Sequence, residues 1–382
     1  MKKRINLFIL TLIILTSCRE SFDPPVKSGQ SNYLVVEGFI NADGRTNIAL
    51  SRTAALRDSA AIRPEQSAAV TIMGENNVDF PLIEIATGYY QSDSLTLDKN
   101  EKYHLNIKTA DGKEYFSDDV AVKQTPPIDS VSWQNENDGV HIYVNTHDGQ
   151  NSTLYYKWDY IETWEIDSHY GANYKYFRGS EPDGSKSYIT QRDIDEVRQM
   201  AVCWQNISST NIHISSSARL ASDVISLEPV INIPRGSEKI SVRYSILVKQ
   251  YALDKQAYAF YQLIKKNTES IGSIFDSQPS DVAGNIHSTG NPGEKAIGYI
   301  TVGTEQSKRI FITSDQVGPQ WGYDQGCETL YVVNVPDSLN AIFGGGGYIP
   351  YSEKPLQQGY YSVTSNCADC RERGGTIKPG FW

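Results

Sequence analysis

The chain has 382 residues, with 35 Lys and Arg against 45 Asp and Glu and a formal net charge of −10. That length allows two or three domains with real cores. An acidic sequence without a basic block excludes nucleic acid as an expected partner and offers no electrostatic attraction to an anionic membrane surface.

Lys2, Lys3 and Arg4 open the chain, and Ile5 to Leu15 follow as an apolar run broken only by Asn6 and Thr11. A charged start, a short apolar core and a small-residue exit form a secretory signal. The run is too short to cross about 30 Å of hydrocarbon, which takes about 20 residues. Residues 1–17 therefore read as a removed leader. Leu15-Thr16-Ser17-Cys18 resembles the bacterial lipobox, with a thiol at the cut, small residues before it and an aliphatic residue three positions upstream. An ordinary signal peptide with a coincidental cysteine is the alternative. On the lipobox reading Cys18 is the lipidation site and its acyl chains anchor the protein to a membrane, with Arg19 rather than aspartate after it and so no sign of inner-membrane retention. Residues 18–31 then form a tether kept extended by Pro24 and Pro25. Removing Lys2, Lys3 and Arg4 takes three positive charges from −10 and leaves −13.

From Tyr33 the pattern is one of short strands. "YLVVEGFINADGRTNIALSRT" reads as strand, turn and strand, "AAVTIMG" as another, and "YYQSDSLTLDKNEKYHLNIKTADGKEYFSDDV" as at least three more. Strands of this length between turn signals predict a small β-sandwich over 32–125, with an order resembling the transthyretin or prealbumin type. Pro126-Pro127 cannot join a central strand and marks the boundary.

Residues 126–382 are expected to form a larger immunoglobulin- or fibronectin-like β-sandwich region with one packed helix and a disulfide-stapled C-terminus. In "LYYKWDYIETWEI", Tyr156, Trp158, Tyr160, Trp164 and Ile166 alternate onto one face, with Glu162 the exception. Such a face is either half of a sandwich core, the heavier reading, or a ligand platform built on Tyr156, Trp158, Tyr160 and Trp164. Residues 167–187 read as an exposed hairpin excursion, and "EVRQMAVCWQ", "NIHISSS" and "KISVRYSILVKQYAL" as strands. A helix is expected over about 254–270, with Asp254 as N-cap and Ala257, Phe260, Tyr261 and Ile264 on one stripe. "AIGYITVG" and "KRIFIT" read as strands, and the end of the chain as irregular, with Phe381 and Trp382 tucked back.

Five cysteines are present, and with Cys18 set aside an even four remain: Cys203, Cys327, Cys367 and Cys370. An exported chain meets an oxidising compartment, so two structural disulfides are expected in one of three connectivities. The preferred pairing joins Cys203 and Cys327 each to one of the last two. No catalytic, cofactor or metal motif emerges. The six histidines make no zinc-hydrolase spacing, and neither a nucleophile elbow nor a phosphate-binding loop is present. Carboxylate pairs such as Glu162 with Glu165 and Asp193 with Asp195 leave a dispersed glycan hydrolase as a minor alternative.

The lipobox, "LVVEGFIN", "RYSILVKQYALDKQAYAFY", "IFDSQPSDVAGNI" leading to "GYI", and the terminal "CADCRERGGTIKPGFW" together resemble the Bacteroidetes lipoprotein family called domain of unknown function 4249. The resemblance implies an outer-membrane lipoprotein, commonly encoded near TonB-dependent transporters, and it supplies no reaction or site residue beyond Cys18. The resulting expectation is a non-enzymatic transporter accessory in nutrient capture. A surface protein binding a glycan or peptide ligand is the alternative.

Overall fold

The computed structural model describes residues 32–54, 63–76, 78–179, 186–269, 284–291 and 293–382. Residues 1–31, where the expected leader, lipidation site Cys18 and tether fall, and most of the "IFDSQPSDVAGNI" stretch lie outside the described residues. The chain is mainly β, as expected. No helix among the described residues is long and apolar enough to cross a membrane.

Strand Leu34–Asn41 runs antiparallel to Asp43–Arg52, with Val36 opposite Leu50. Pairing continues through Tyr89–Thr96, Asp79–Ala86, Ala69–Gly74 and Lys102–Lys108 to Glu114–Ser117. Side chains alternate across a strand. The inward set, Val36, Leu50, Ile72, Leu105, Ile107 and Tyr115, therefore meets in one buried core, although its strands lie far apart in the sheet.

The boundary at Pro126 holds from one side only. Residues 286–303 leave the second unit and return to the first. Ala296–Ile297 and Val302–Gly303 add in parallel to Leu34–Asn41, and Ile286–Ser288 closes the other edge against Glu114–Ser117. The second unit thus does not run uninterrupted from 126 to 382. Two residues fix this return. Gly298 lies so close to the first strand that a Cβ there would sit 2.2 Å from the Val36 carbonyl oxygen. Asn285 is buried. Its amide donates to the Ile300 carbonyl at 2.9 Å and accepts from the Ile300 N–H at 2.8 Å, copying a strand's pairing fifteen residues away. Asn285→Ala strands both Ile300 groups, and a loss of about 2–3 kcal/mol is expected in urea unfolding.

The second unit is a sandwich. Ile128–Asn135, Gly139–His147 and Val224–Pro234 form one sheet. Tyr155–Asp167, Val202–Ser208, His213–Ser216, Arg243–Ala252 and Gln306–Thr313 form the other. Val140, Ile142 and Val144 of the first sheet share a buried core with Trp158, Ile246 and Val248 of the second. Helix Lys255–Glu269 packs on this sandwich, and Asp254 caps it by accepting from the Ala257 N–H at 2.7 Å.

Two local expectations are corrected. Ile194–Ala201 is a helix, capped by Asp193, where a strand was read. Ile194, Val197 and Ala201 recur at helical and not strand spacing, and the cap's bonds to the Asp195 and Glu196 N–H groups settle the first turn. The 167–187 excursion is anchored: Tyr174–Phe177 pairs with Tyr188–Gln191, and Tyr174, Tyr176 and Ile189 pack against Phe343 and Tyr360. The end of the chain beyond Glu372 is irregular, as expected, but the part before it adds elements that the sequence reading does not contain. Thr329–Val333, Gly359–Thr364 and Tyr348–Lys354 form a three-stranded sheet backed by helix Pro336–Phe343. Trp382 does return, donating from its indole to Glu165 at 2.6 Å.

The disulfides are Cys203–Cys370 and Cys327–Cys367, spanning 167 and 40 residues. This is the expected pairing of each earlier cysteine with one of the last two. Closing loops this long contributes about 2–4 kcal/mol per bond by restricting the unfolded chain.

Candidate functional site

The strand Tyr155–Asp167 divides its residues between two environments. Tyr156 and Trp158 are completely buried, and Tyr160 and Trp164 are 7% exposed. They are core, so the ligand platform on these four aromatics does not exist. Period-two alternation sends the odd-numbered residues, Lys157, Asp159 and Ile161, to the opposite face. That face meets the first unit across a cleft of about 580 Å³, within the roughly 300–1,000 Å³ of small-molecule sites.

Cross-strand register builds the cleft floor. Lys157 stands opposite Tyr251, and Asp159 opposite Lys249. Both Asp159 oxygens lie within 2.6 Å of the Lys157 ammonium, which also sits over the rings of Tyr251 and Tyr261 at 5.1 and 5.5 Å. Lys249 pairs with Glu305 at 3.1 Å, and the Tyr251 hydroxyl donates to the same carboxylate at 3.0 Å. Phe39 of the first strand closes edge-on against Tyr251, with ring centroids 4.8 Å apart. Helix Lys255–Glu269 supplies Phe260, Tyr261 and Ile264, and the returning segment supplies Tyr299.

The electrostatics follow from this packing. Burial works against the Lys157 ammonium, but Asp159, Tyr261 and Glu37 outweigh it and hold its pKa above the ordinary lysine value. It therefore stays charged. Burial, reinforced by Asp159 and Glu305, pushes the Tyr251 phenol far up, and burial near Asp254 pushes Tyr299 up to about 12. Both phenols remain neutral donors. The recess thus has aromatic walls and fixed, paired charges of both signs, an arrangement suited to a polar ligand with an apolar face.

The carboxylate pairs do not converge. Glu162 is buried on the core face, whereas Glu165 lies on the other face under Trp382. Asp193 caps its helix and Asp195 pairs with Arg198. Glu136, Asp138 and His141 place potential metal-ligating atoms within 4.8 Å of one another on an exposed hairpin. Asp138 is already shared by His141 at 2.9 Å and Asn232 at 3.0 Å, which accounts for the cluster without an ion. Sequence reasoning missed Lys157, Asp159, Lys249 and Tyr251. Their signal was the charge alternation opposite the aromatic face, which reads equally well as a solvated surface.

The model of the domain of unknown function DUF4249 matches residues 19–309, and the chain belongs to that family. No curated protein matches it. Among solved structures, a segment of two fibronectin type III domains from chicken tenascin is 9% identical. The match covers 58% of this chain and 92% of that one, with a TM-score of 0.16. A Salmonella α-2-macroglobulin variant is 10% identical, with 59% of this chain and 14% of that one covered and a TM-score of 0.19.

Proposed function

We propose that this protein is a non-enzymatic, lipid-anchored capture protein of the outer membrane. It holds a small polar ligand in the cleft between its two β units and passes it to a TonB-dependent transporter. The observation that carries this reading is the cleft itself: aromatic walls around two lysine–carboxylate pairs that are already mutually satisfied, a binding arrangement. The lipobox-like Leu15-Thr16-Ser17-Cys18 supports the anchor.

The test is affinity isolation of the tagged native lipoprotein from gently solubilised outer membranes, with mass spectrometry and an unrelated lipoprotein as control. A stoichiometric TonB-dependent barrel is expected, together with binding of that barrel's substrate that weakens in Tyr251→Ala. Enrichment no greater than the control's removes the transporter from the reading.

A further inference from the structure

The C-terminal sheet carries a row of tyrosines on the face turned away from its helix. Tyr331 and Tyr361 stand directly opposite each other on neighbouring strands, with ring centroids 5.5 Å apart. Tyr351 follows Tyr361 at 6.4 Å, and Tyr170 follows Tyr351 at 4.8 Å. Lys354 places its ammonium 5.1 Å from the Tyr331 centroid.

Two properties set the exposed end of this row apart from core packing. Tyr331 and Tyr361 are 40% and 41% exposed, whereas their neighbours Val332 and Tyr360 are buried on the reverse face. None of the four hydroxyls makes a hydrogen bond to another described residue. The row is also rigidly mounted. Tyr170 and Tyr351 pack on the small core around Cys367, the Tyr170 N–H donates to the Cys367 carbonyl at 3.0 Å, and Asn173 donates to the Tyr351 carbonyl at 3.1 Å. Preorganised aromatics bind with little loss of side-chain freedom.

We propose that the row Tyr170–Tyr351–Tyr361–Tyr331 is a binding platform for a glycan chain. Sugar C–H bonds carry partial positive charge and stack on the negative faces of aromatic rings. The unpaired phenols and Lys354 then meet sugar hydroxyls, and the ring-to-ring spacing is comparable to the advance per sugar along an oligosaccharide. Chain shape follows from the tilts. Successive rings are inclined by 50°, 37° and 54°. A flat ribbon cannot lie on all four, whereas a chain whose sugars turn along its axis can. The platform lies on other elements than the cleft and does not rest on the transporter reading.

The test is affinity gel electrophoresis of the full mature chain in soluble starch, in a β-1,3-glucan and in hydroxyethylcellulose, alongside calorimetry with a proline-rich peptide. Retardation is expected in starch or the β-1,3-glucan and weaker in the cellulose derivative. Tyr331→Ala and Tyr361→Ala each weaken it about tenfold, the loss of one stacking contact, with unchanged thermal midpoints, since both residues are exposed. Tyr361→Phe, which keeps the ring, stays near wild type. Absence of retardation in every gel, retardation indifferent to both alanine variants, strongest retention in hydroxyethylcellulose, or binding of the peptide alone overturns the proposal.

Discussion

Trp158→Ala is expected to destabilise the sandwich by about 5 kcal/mol, combining the cavity left by a large buried side chain with an orphaned hydrogen-bond partner. Trp158 has no solvent exposure and stacks on Tyr156 with ring centroids 5.7 Å apart. Its indole donates to Gln250 Oε1 at 2.8 Å. The Gln250 amide in turn donates to the Pro126 carbonyl and to Thr146 Oγ1 at 2.8 and 2.9 Å. One tryptophan therefore orients a glutamine that joins the interdomain linker to the facing sheet. The measurement is the urea midpoint followed by circular dichroism. A ligand platform would behave differently, losing binding at Trp158→Ala while the midpoint stayed in place. Trp158→Phe keeps most of the volume and is expected to recover more than half of the loss.

The same strand shows how far the sequence could be read. Alternation identified Tyr155–Asp167 as a strand and gathered its aromatics on one face. Sequence cannot say which face meets the opposing sheet, because both core and platform demand the same spacing. The heavier reading, core, holds for Tyr156, Trp158, Tyr160 and Trp164, while the cleft residues Lys157 and Asp159 lie one position away on the other face. The helix at Lys255–Glu269 was legible because its cap and its apolar stripe agree. The return of residues 286–303 was legible only in part: "AIGYITVG" reads as a strand and contains the short strands Ala296–Ile297 and Val302–Gly303, but the partners of this segment lie about 170 to 260 positions earlier, beyond the reach of any local pattern. What holds the segment is a close backbone approach at Gly298 and the side-chain pairing of Asn285, both tertiary facts. The tyrosine row was illegible for a related reason. Its members come from three strands and a loop, and only the fold brings them into line.

Lys239→Met is expected to cost about 3–5 kcal/mol, because it leaves a buried carboxylate without its counter-charge. Glu162 is the one acidic residue on the aromatic face, and its side chain is 3% exposed. Lys239 reaches both of its oxygens, at 2.8 and 2.7 Å, from a short helical turn capped by Ser237, and Tyr244 donates a third hydrogen bond at 2.9 Å. Burial, and then the facing carboxylate, push the Tyr244 phenol well above its ordinary pKa, so it stays a donor. Lys239 also lies over the Trp164 ring at 5.3 Å, and a methionine there retains part of that packing. The loss in Lys239→Met is thus assigned chiefly to the stranded charge. The check is a double-mutant cycle read by urea unfolding. Glu162→Gln alone keeps hydrogen-bonding capacity and is expected to cost about 1–2 kcal/mol. Combined with Lys239→Met it removes the charge together with its partner, and most of the single-mutant loss should return. Additive losses in the double variant would mean that Glu162 and Lys239 stabilise the sandwich independently, and that the carboxylate tolerates burial through Tyr244 alone.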